Sequence, residues 1–273
     1  GGDRLWNIHV HVDDVGAAIE AGIEAGRPYR VRVTHFAEQL SQASATRRRT
    51  KLAGQRGIVA VAAGPGLMSL FGEAGAVVLP GGPGRRCSTG ELLDAIRSTG
   101  CAEVIVLPND ADTVAVAEAA AQTARDEGTR TAVIPTRTQV QGLAAAAVHQ
   151  SSRSFDDDVV HMTSAGGHAR HGAVTVAARD AMTMAGPCST GDTLGIVDGD
   201  FALVGGALDD AAVEIVERLL SGGGELVTLV TGVGSTDELV RRVTSHVAHA
   251  RPDIEVLVYD GGQERYPLLI GVE

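Results

Sequence analysis

The sequence is poor in aromatic side chains: one Trp, three Tyr and four Phe, 3% of 273 residues. Any core must therefore be aliphatic, drawn from the Val, Leu, Ile and Ala that dominate a 44% hydrophobic content. Lysine is nearly absent, with Lys51 alone among 23 basic residues, which points to a GC-rich genome more than to a physical demand. Positive charge is in deficit. A formal net charge of −11 argues against a nucleic-acid partner, because phosphate contacts need a basic face. The one basic cluster, Arg47-Arg48-Arg49 with Lys51, lies in a polar stretch and reads as a solvated linker. Cysteine is scarce too. Cys87, Cys101 and Cys188 are odd in number and widely spaced, as expected of reduced thiols and not of a disulfide framework.

Long apolar runs are missing as well. Nothing approaches the roughly 20 residues of a membrane-spanning helix, and the stretch from Gly142 to Val148 is short and mostly alanine. Gly1-Gly2-Asp3-Arg4 lacks the basic-then-apolar layout of a signal peptide. These absences together predict a cytoplasmic protein with no membrane span. Also missing are a Gly-x-Ser-x-Gly elbow, a Cys-x-x-Cys pair, a His-Glu-x-x-His helix and a Walker Gly-Lys-Ser/Thr. No complete catalytic site is written in the chain, so function is sought in what it binds.

What is present is an α/β alternation. Residues 1–36 read as a small fragment: a strand Leu5 to His11, a helix capped by Asp13 or Asp14 and ended by Gly26 and Pro28, and a strand Tyr29 to Val33. Residues 37–56 are polar and read as a linker. Residues 57–150 predict a helix-wrapped, mainly parallel sheet with strands at Ile58–Ala63, Val77–Leu79, Val104–Leu107 and Thr131–Ile134. Between them Ser88-Thr89-Gly90-Glu91 fits a capping box, and Asp110 or Asp112 opens an alanine-rich helix. Residues 151–273 predict a mixed α+β subdomain of more antiparallel character. Its elements are a helix over Val159–Arg170, strands at Val174–Ala178, Leu194–Val197 and Phe201–Val204, a helix Asp209–Leu220, a strand Leu226–Val230, a helix Thr236–Ala250, and final strands from Ile254 and up to Val272.

Several residue groups could carry chemistry. Gly64-Pro65-Gly66 lies where a phosphate loop would lie, but the position of the third glycine is Ser69, so a tight strand-to-helix turn is the simpler reading. Asp198-Gly199-Asp200 is the turn of a hairpin rather than a magnesium site. His161, His168 and His171 read as solvated. His9 and His11 project from one face of a strand and could share an ion, with Asp13 and Asp14 behind them, but a metal-dependent hydrolase would need a third ligand from elsewhere. Polar residues cluster at predicted strand ends: Asn109, Thr136-Arg137, Gln141-Gly142, and Gln263 with Tyr266. In a parallel sheet this edge is where ligands and partners dock.

Taken in order, the segments Leu5–Asp14, Val59–Gly66, Val106–Asn109, Val133–Arg137 with Gln141-Gly142-Leu143, Gly172–Thr175 with Ala178-Arg179-Asp180, and Gly261–Pro267 before Val272-Glu273 resemble one family. It is the large subunit of bacterial fatty-acid kinase, a relative of the dihydroxyacetone kinases. The resemblance implies a kinase domain, holding ATP and magnesium, that precedes these segments. It also implies a middle domain with the His-x-His pair and a C-terminal region of DegV-like fold that docks a separate fatty-acid-carrying subunit. On this reading the chain covers the end of the middle domain and the whole C-terminal region, is non-catalytic by itself, and binds no cofactor of its own. Asn109, Arg137, Gln141, Gln263 and Tyr266 would then line the partner-facing edge. Zinc at His9 and His11 would be completed by a cysteine that the family carries earlier in the chain. Within Gly81–Thr89 the family's Gln-Thr-Met-Asn-Pro is replaced by Pro83-Gly84-Arg85-Arg86-Cys87, which would turn Arg85 and Arg86 toward an acidic partner surface. The alternative is a small-molecule enzyme or sensor, for a fatty acid or phosphate ligand, using a cleft near Gly64–Gly66. The sequence leaves the oligomeric state open, a homodimer included.

Overall fold

The first strand of the main unit, β1 (Arg56–Ala62), shows why these residues fold as they do. Its β-branched Ile58, Val59 and Val61 favour the pleat, and on the face of Ile58 the small Ala60 and Ala62 allow close contact. A computed structural model describes residues 15–28 and 56–273. Residues 15–28 hold one helix, α1 (Val15–Ala25), closed by a hydrogen bond from the Gly26 N–H to the Gly22 carbonyl (3.0 Å). The predicted strands Leu5–His11 and Tyr29–Val33, the capping Asp13 or Asp14, and His9 and His11 lie outside the described residues.

In the main unit, β1 leads through Gly64 into α2 (Pro65–Glu73), and β2 (Val77–Pro80) is followed by α3 (Thr89–Ser98). β3 (Glu103–Leu107), α4 (Ala111–Asp126) and β4 (Arg130–Val133) complete a four-stranded sheet of order β2-β1-β3-β4, parallel throughout. The predicted caps form: Ser88 and Glu91 make a reciprocal capping box, and Asp110 caps α4. Two helices, α5 (Gln139–Ala147) and α6 (Phe155–His168), lead to the second sheet. The helix predicted from Val159 to Arg170 starts earlier, because Ser154 caps it and Asp156, Asp157 and Asp158 form its first turn, where carboxylates meet free N–H groups.

The second sheet comprises β5 (Arg170–Val176), β8 (Thr193–Val197), β9 (Asp200–Val204), β10 (Leu226–Gly232), β11 (Glu255–Gln263) and β12 (Leu268–Val272) in the order β11-β10-β12-β5-β8-β9. Only β10 and β11 are parallel neighbours; the other pairs are antiparallel. Its helices are α7 (Leu208–Leu220) and α8 (Asp237–Ala250). A small hairpin that the sequence did not suggest, β6 (Ala181–Thr183) with β7 (Gly186–Cys188), projects between β5 and β8. Asp198 and Gly199 both have positive φ (50° and 93°), the pattern of a two-residue hairpin turn joining β8 to β9. One apolar cluster joins the two sheets, with Ile58, Leu67, Phe71, Ile105 and Ile134 from the first side and Ala173, Ile196, Val230 and Leu269 from the second. Three sheet edges are blunted by arginines that donate to edge-strand carbonyls: Arg85 to Pro80, Arg125 to Thr131, and Arg218 to Ala202.

Candidate functional site

The C-terminal ends of the parallel strands are held by one buried asparagine. Asn109 follows β3 with φ of 56°, a backbone state that Asn tolerates. Its Nδ2 donates to the Val61 carbonyl (3.0 Å), and its Oδ1 accepts from Thr136 Oγ1 (2.7 Å), so one side chain ties together the ends of β1, β3 and β4. Gln139 Nε2 donates to the Asn109 carbonyl (3.1 Å). Gly142, inside α5 and not at a strand end, leaves the room that Asn109 occupies; a side chain built there would overlap the amide. Asn109 is only 2% exposed. The sequence places it on a partner-facing edge; in the structure its polar atoms are consumed in closing the sheet.

Gln263 is corrected in the same way. It is also 2% exposed, and its Nε2 donates to the carbonyls of Val230 (2.9 Å) and Tyr266 (3.0 Å), pinning the β11–β12 loop to β10. The Gly64-Pro65-Gly66 turn meets this loop directly. A side chain at Gly66 would overlap the Asp260 carbonyl, and one at Gly64 would lie 2.6 Å from the Gln263 nitrogen. The turn is thus packed against the chain's own backbone, as expected of a tight strand-to-helix connection.

The remaining candidates stay at the surface, in separate places. Arg137 is exposed, and Gln141 is half-buried, with Oε1 accepting from the Arg137 N–H (2.9 Å) and Nε2 donating to the Ala169 carbonyl (3.4 Å). Both belong near the start of β5, whereas Tyr266, half-buried under Arg265, belongs near its end. The five predicted edge residues therefore do not form one surface. Beside Arg137 and Gln141, a cavity of about 90 Å³ is lined by Ile134, Pro135, Thr136, Gln141, Thr163, Gly166 and Gly167. Arg85 and Arg86 are exposed but already matched within the chain, Arg85 with Glu91 (3.7 Å) and Arg86 with Asp112 (3.1 Å). His161 and His168 are exposed as expected; His171 is not. It is buried in β5, and burial, reinforced by Arg137 and opposed by Asp198, pushes its imidazole below the ordinary range. Among the described residues no group of three or more His, Cys, Asp or Glu side chains is placed to hold a metal. Nor is any described helix long and apolar enough to cross a membrane.

The most concentrated electrostatic cluster escaped the sequence reading. Arg56, placed at the end of the linker, opens β1 with its side chain 4% exposed. It donates to Asp158 (2.7 Å), Glu103 (3.0 Å) and the Arg153 carbonyl (3.2 Å), and stacks 5.3 Å from the Phe155 ring centre. Asp158, wholly buried, also accepts from the Gln150 N–H (3.0 Å) and pairs with His149 Nδ1 (2.7 Å). Burial alone would push the Asp158 carboxyl up; the Gln150 N–H, His149 and Arg56 outweigh it and hold it below the usual carboxylate range. For His149 burial prevails over the carboxylate and pushes the imidazole down. The sole hint in the sequence was an arginine followed at once by an apolar strand.

Two sheets with this order and this shared core define a DegV-type fold. A DegV family protein of Thermus thermophilus, described as fatty-acid-binding, superposes with a TM-score of 0.57 at 14% identity over 80% of this chain and 99% of its own. DegV of Bacillus subtilis, described as a fatty acid binding protein, gives 0.53 at 12% identity over 81% and 100%. The Streptococcus pneumoniae fatty acid kinase B3 protein, loaded with linoleic acid, gives 0.51 at 12% identity over 68% and 76%. Residues 57–273 match the C-terminal domain of the FakA-like family of fatty acid kinase proteins, and residues 1–43 match that family's middle domain. The chain belongs to the FakA-like family. Among curated proteins, an uncharacterized protein of Staphylococcus haemolyticus and the protein YloV of Bacillus subtilis are each 26% identical over 99% of this chain. The chain spans about half the length of the curated relatives it matches.

Proposed function

We propose that this region docks the fatty-acid-carrying subunit of a two-component fatty-acid kinase, so that a kinase domain outside these residues can phosphorylate the acyl carboxylate. The chemistry would belong to the ATP and magnesium site that the family resemblance places upstream, and these residues would receive the protein that brings the substrate. The observation that carries this reading is a DegV-type fold whose two sheets share one aliphatic cluster. Ligand pockets for molecules of this size measure roughly 300–1,000 Å³, whereas the cavity beside Gln141 measures about 90 Å³ and is lined largely by Thr, Gly and Gln. Leu67, Phe71, Val230 and Leu269 pack in the cluster that the two sheets share.

A fold whose sheets share a close-packed aliphatic cluster fits a protein that meets a lipid carrier better than one that holds lipid. The test is titration of the full-length protein with the same organism's DegV-type fatty-acid-binding protein, loaded with palmitic acid. A defined complex at micromolar concentration or below is expected, with no palmitate transferred to this protein. Stoichiometric palmitate uptake by this protein alone, or no complex at that concentration, would overturn the proposal.

A further inference from the structure

The arginines of this acidic chain are nearly all spoken for. Residues 56–273 contain 15 of them, at positions 56, 85, 86, 97, 125, 130, 137, 153, 170, 179, 218, 241, 242, 251 and 265. Eleven face a carboxylate, and Arg170 donates to the Leu219 and Gly223 carbonyls. That leaves Arg137, Arg179 and Arg265 with no ion pair or hydrogen bond to the guanidinium among the described residues.

Two of these three lie at one end of the mixed sheet. β5, β10 and β11 run in the same direction, so their C-terminal ends emerge together. Arg265 is in the loop after β11, and its carbonyl accepts from Thr175 Oγ1 of β5 (2.8 Å). Arg179 follows four residues after Thr175. Asp180 makes no ion pair with it; its Oδ1 accepts from the Thr190 N–H (2.7 Å) and hydroxyl (3.0 Å) instead. Arg265 rests 5.4 Å from the centre of the Tyr266 ring, which holds the cation in place without removing its charge.

The apolar side chains left in water gather at the same end. Six large hydrophobic residues in the main unit stand exposed, and four belong here: Val176 (48%), Met182 (79%), Met184 (89%) and Val233 (60%); the others are Val160 and Val258. Val233 is fastened to this end by its N–H, which donates to the Gln263 carbonyl (2.8 Å). Met182 and Met184 ride on the β6–β7 hairpin, whose base is anchored by Cys188 packed among Ala177 and Leu194. Arginine, methionine and tyrosine on one surface are the side chains that protein interfaces favour.

We infer that this end of the sheet, carrying Val176, Arg179, Met182, Met184, Val233 and Arg265, is the docking surface for a protein partner that presents carboxylates beside an apolar patch. Charge selects that occupant. The guanidinium groups of Arg179 and Arg265 keep their donors open, and a guanidinium fork binds a carboxylate at two points. A second copy of this chain would bring the same two cations to the contact and repel. The inference rests on the docking role proposed above and locates it away from Arg137, Arg85 and Arg86.

The experiment uses the full-length protein and the same palmitate-loaded DegV-type protein, with affinity read across a salt series. R179E/R265E should weaken binding at least tenfold and flatten its salt dependence. M182S/M184S should weaken binding several-fold with the salt dependence kept, because it removes only apolar contact. R241E on α8, where Arg241 already pairs with Glu238, should leave both unchanged, and all variants should melt like the parent protein. If the parent binds and both double variants bind equally well, this surface is wrong while the docking role stands. If the parent fails to bind, the docking role falls and the surface with it. Self-association of the parent that M182S/M184S abolishes would make a second copy the occupant and overturn the inference.

Discussion

Replacing Asp158 by alanine should be among the most damaging single changes in this protein. Asp158 is wholly buried and meets three basic side chains, Arg56 at 2.7 Å, His149 at 2.7 Å and Arg153 at 3.7 Å. Without it, Arg56 keeps only Glu103, a carboxylate 32% exposed, and a carbonyl. Stranding one member of a buried ion pair costs about 3–5 kcal/mol. For a unit of this size that is about 6–20 °C in melting temperature. Calorimetry or denaturant unfolding reads it directly, and a loss below about 1 kcal/mol would refute the claim that the cluster is a desolvated knot. Because the penalty comes from the stranded cation, the double variant R56M/D158L should recover much of the loss. Acid should expose the same cluster in the parent protein. His149 is held below its ordinary value near 6.5, so the unfolded chain takes up a proton that the native one refuses, and stability should begin to fall as pH drops below about 6.5. Asp158 is also depressed, so its contribution is intact above an unfolded value near 3.9 and should be lost as pH falls further, through its lower native value. An unfolding curve flat from pH 7 down to about 4 would contradict the His149 assignment.

Other outcomes follow from the two buried clamps and the glycine contact. Asn109→Ala should cost roughly 2–3 kcal/mol by leaving the Val61 carbonyl and Thr136 hydroxyl short of partners at a backbone angle alanine resists; hydrogen exchange should rise first at the ends of β1 and β4. Gln263→Ala should loosen the β11–β12 loop by about 1–3 kcal/mol, read as protease sensitivity near Glu264, with α7 and α8 unaffected. Gly66→Ala should fail to fold or melt far lower, since the Asp260 carbonyl occupies the position of the new methyl group. Gly167→Ala near the end of α6 meets no atom within 4 Å and should stabilise by up to about 1 kcal/mol, as measured by thermal unfolding.

Much of the fold is legible because local signals agree with the tertiary ones. Ser88–Glu91, Asp110, Thr236 and the Asp198-Gly199 turn each do in the structure what their chemistry predicts. The misses have physical causes. The start of α6 was obscured because three consecutive aspartates look like a solvated loop, although a helix N-terminus favours them and the third is buried against Arg56. The β6–β7 hairpin was missed because three-residue strands carry too little periodicity to stand out.

The site was less legible, for a reason that Asn109 and Gln263 share. Polar residues at strand ends in a sheet of this kind have two uses, facing a ligand or closing the backbone groups that the strand leaves open, and their sequence is the same in either case. Only burial separates them, and burial depends on what packs from far along the chain, such as Gly64 against Gly261. The same holds for charge. Arg85 and Arg179 are both arginines in polar loops, yet one faces Glu91 and the other faces water, with the neighbouring Asp180 turned to Thr190. An arginine's availability is set by where the fold turns the nearby carboxylates, and Arg179 and Arg265 stay unpaired although Asp180 and Glu264 adjoin them in the sequence.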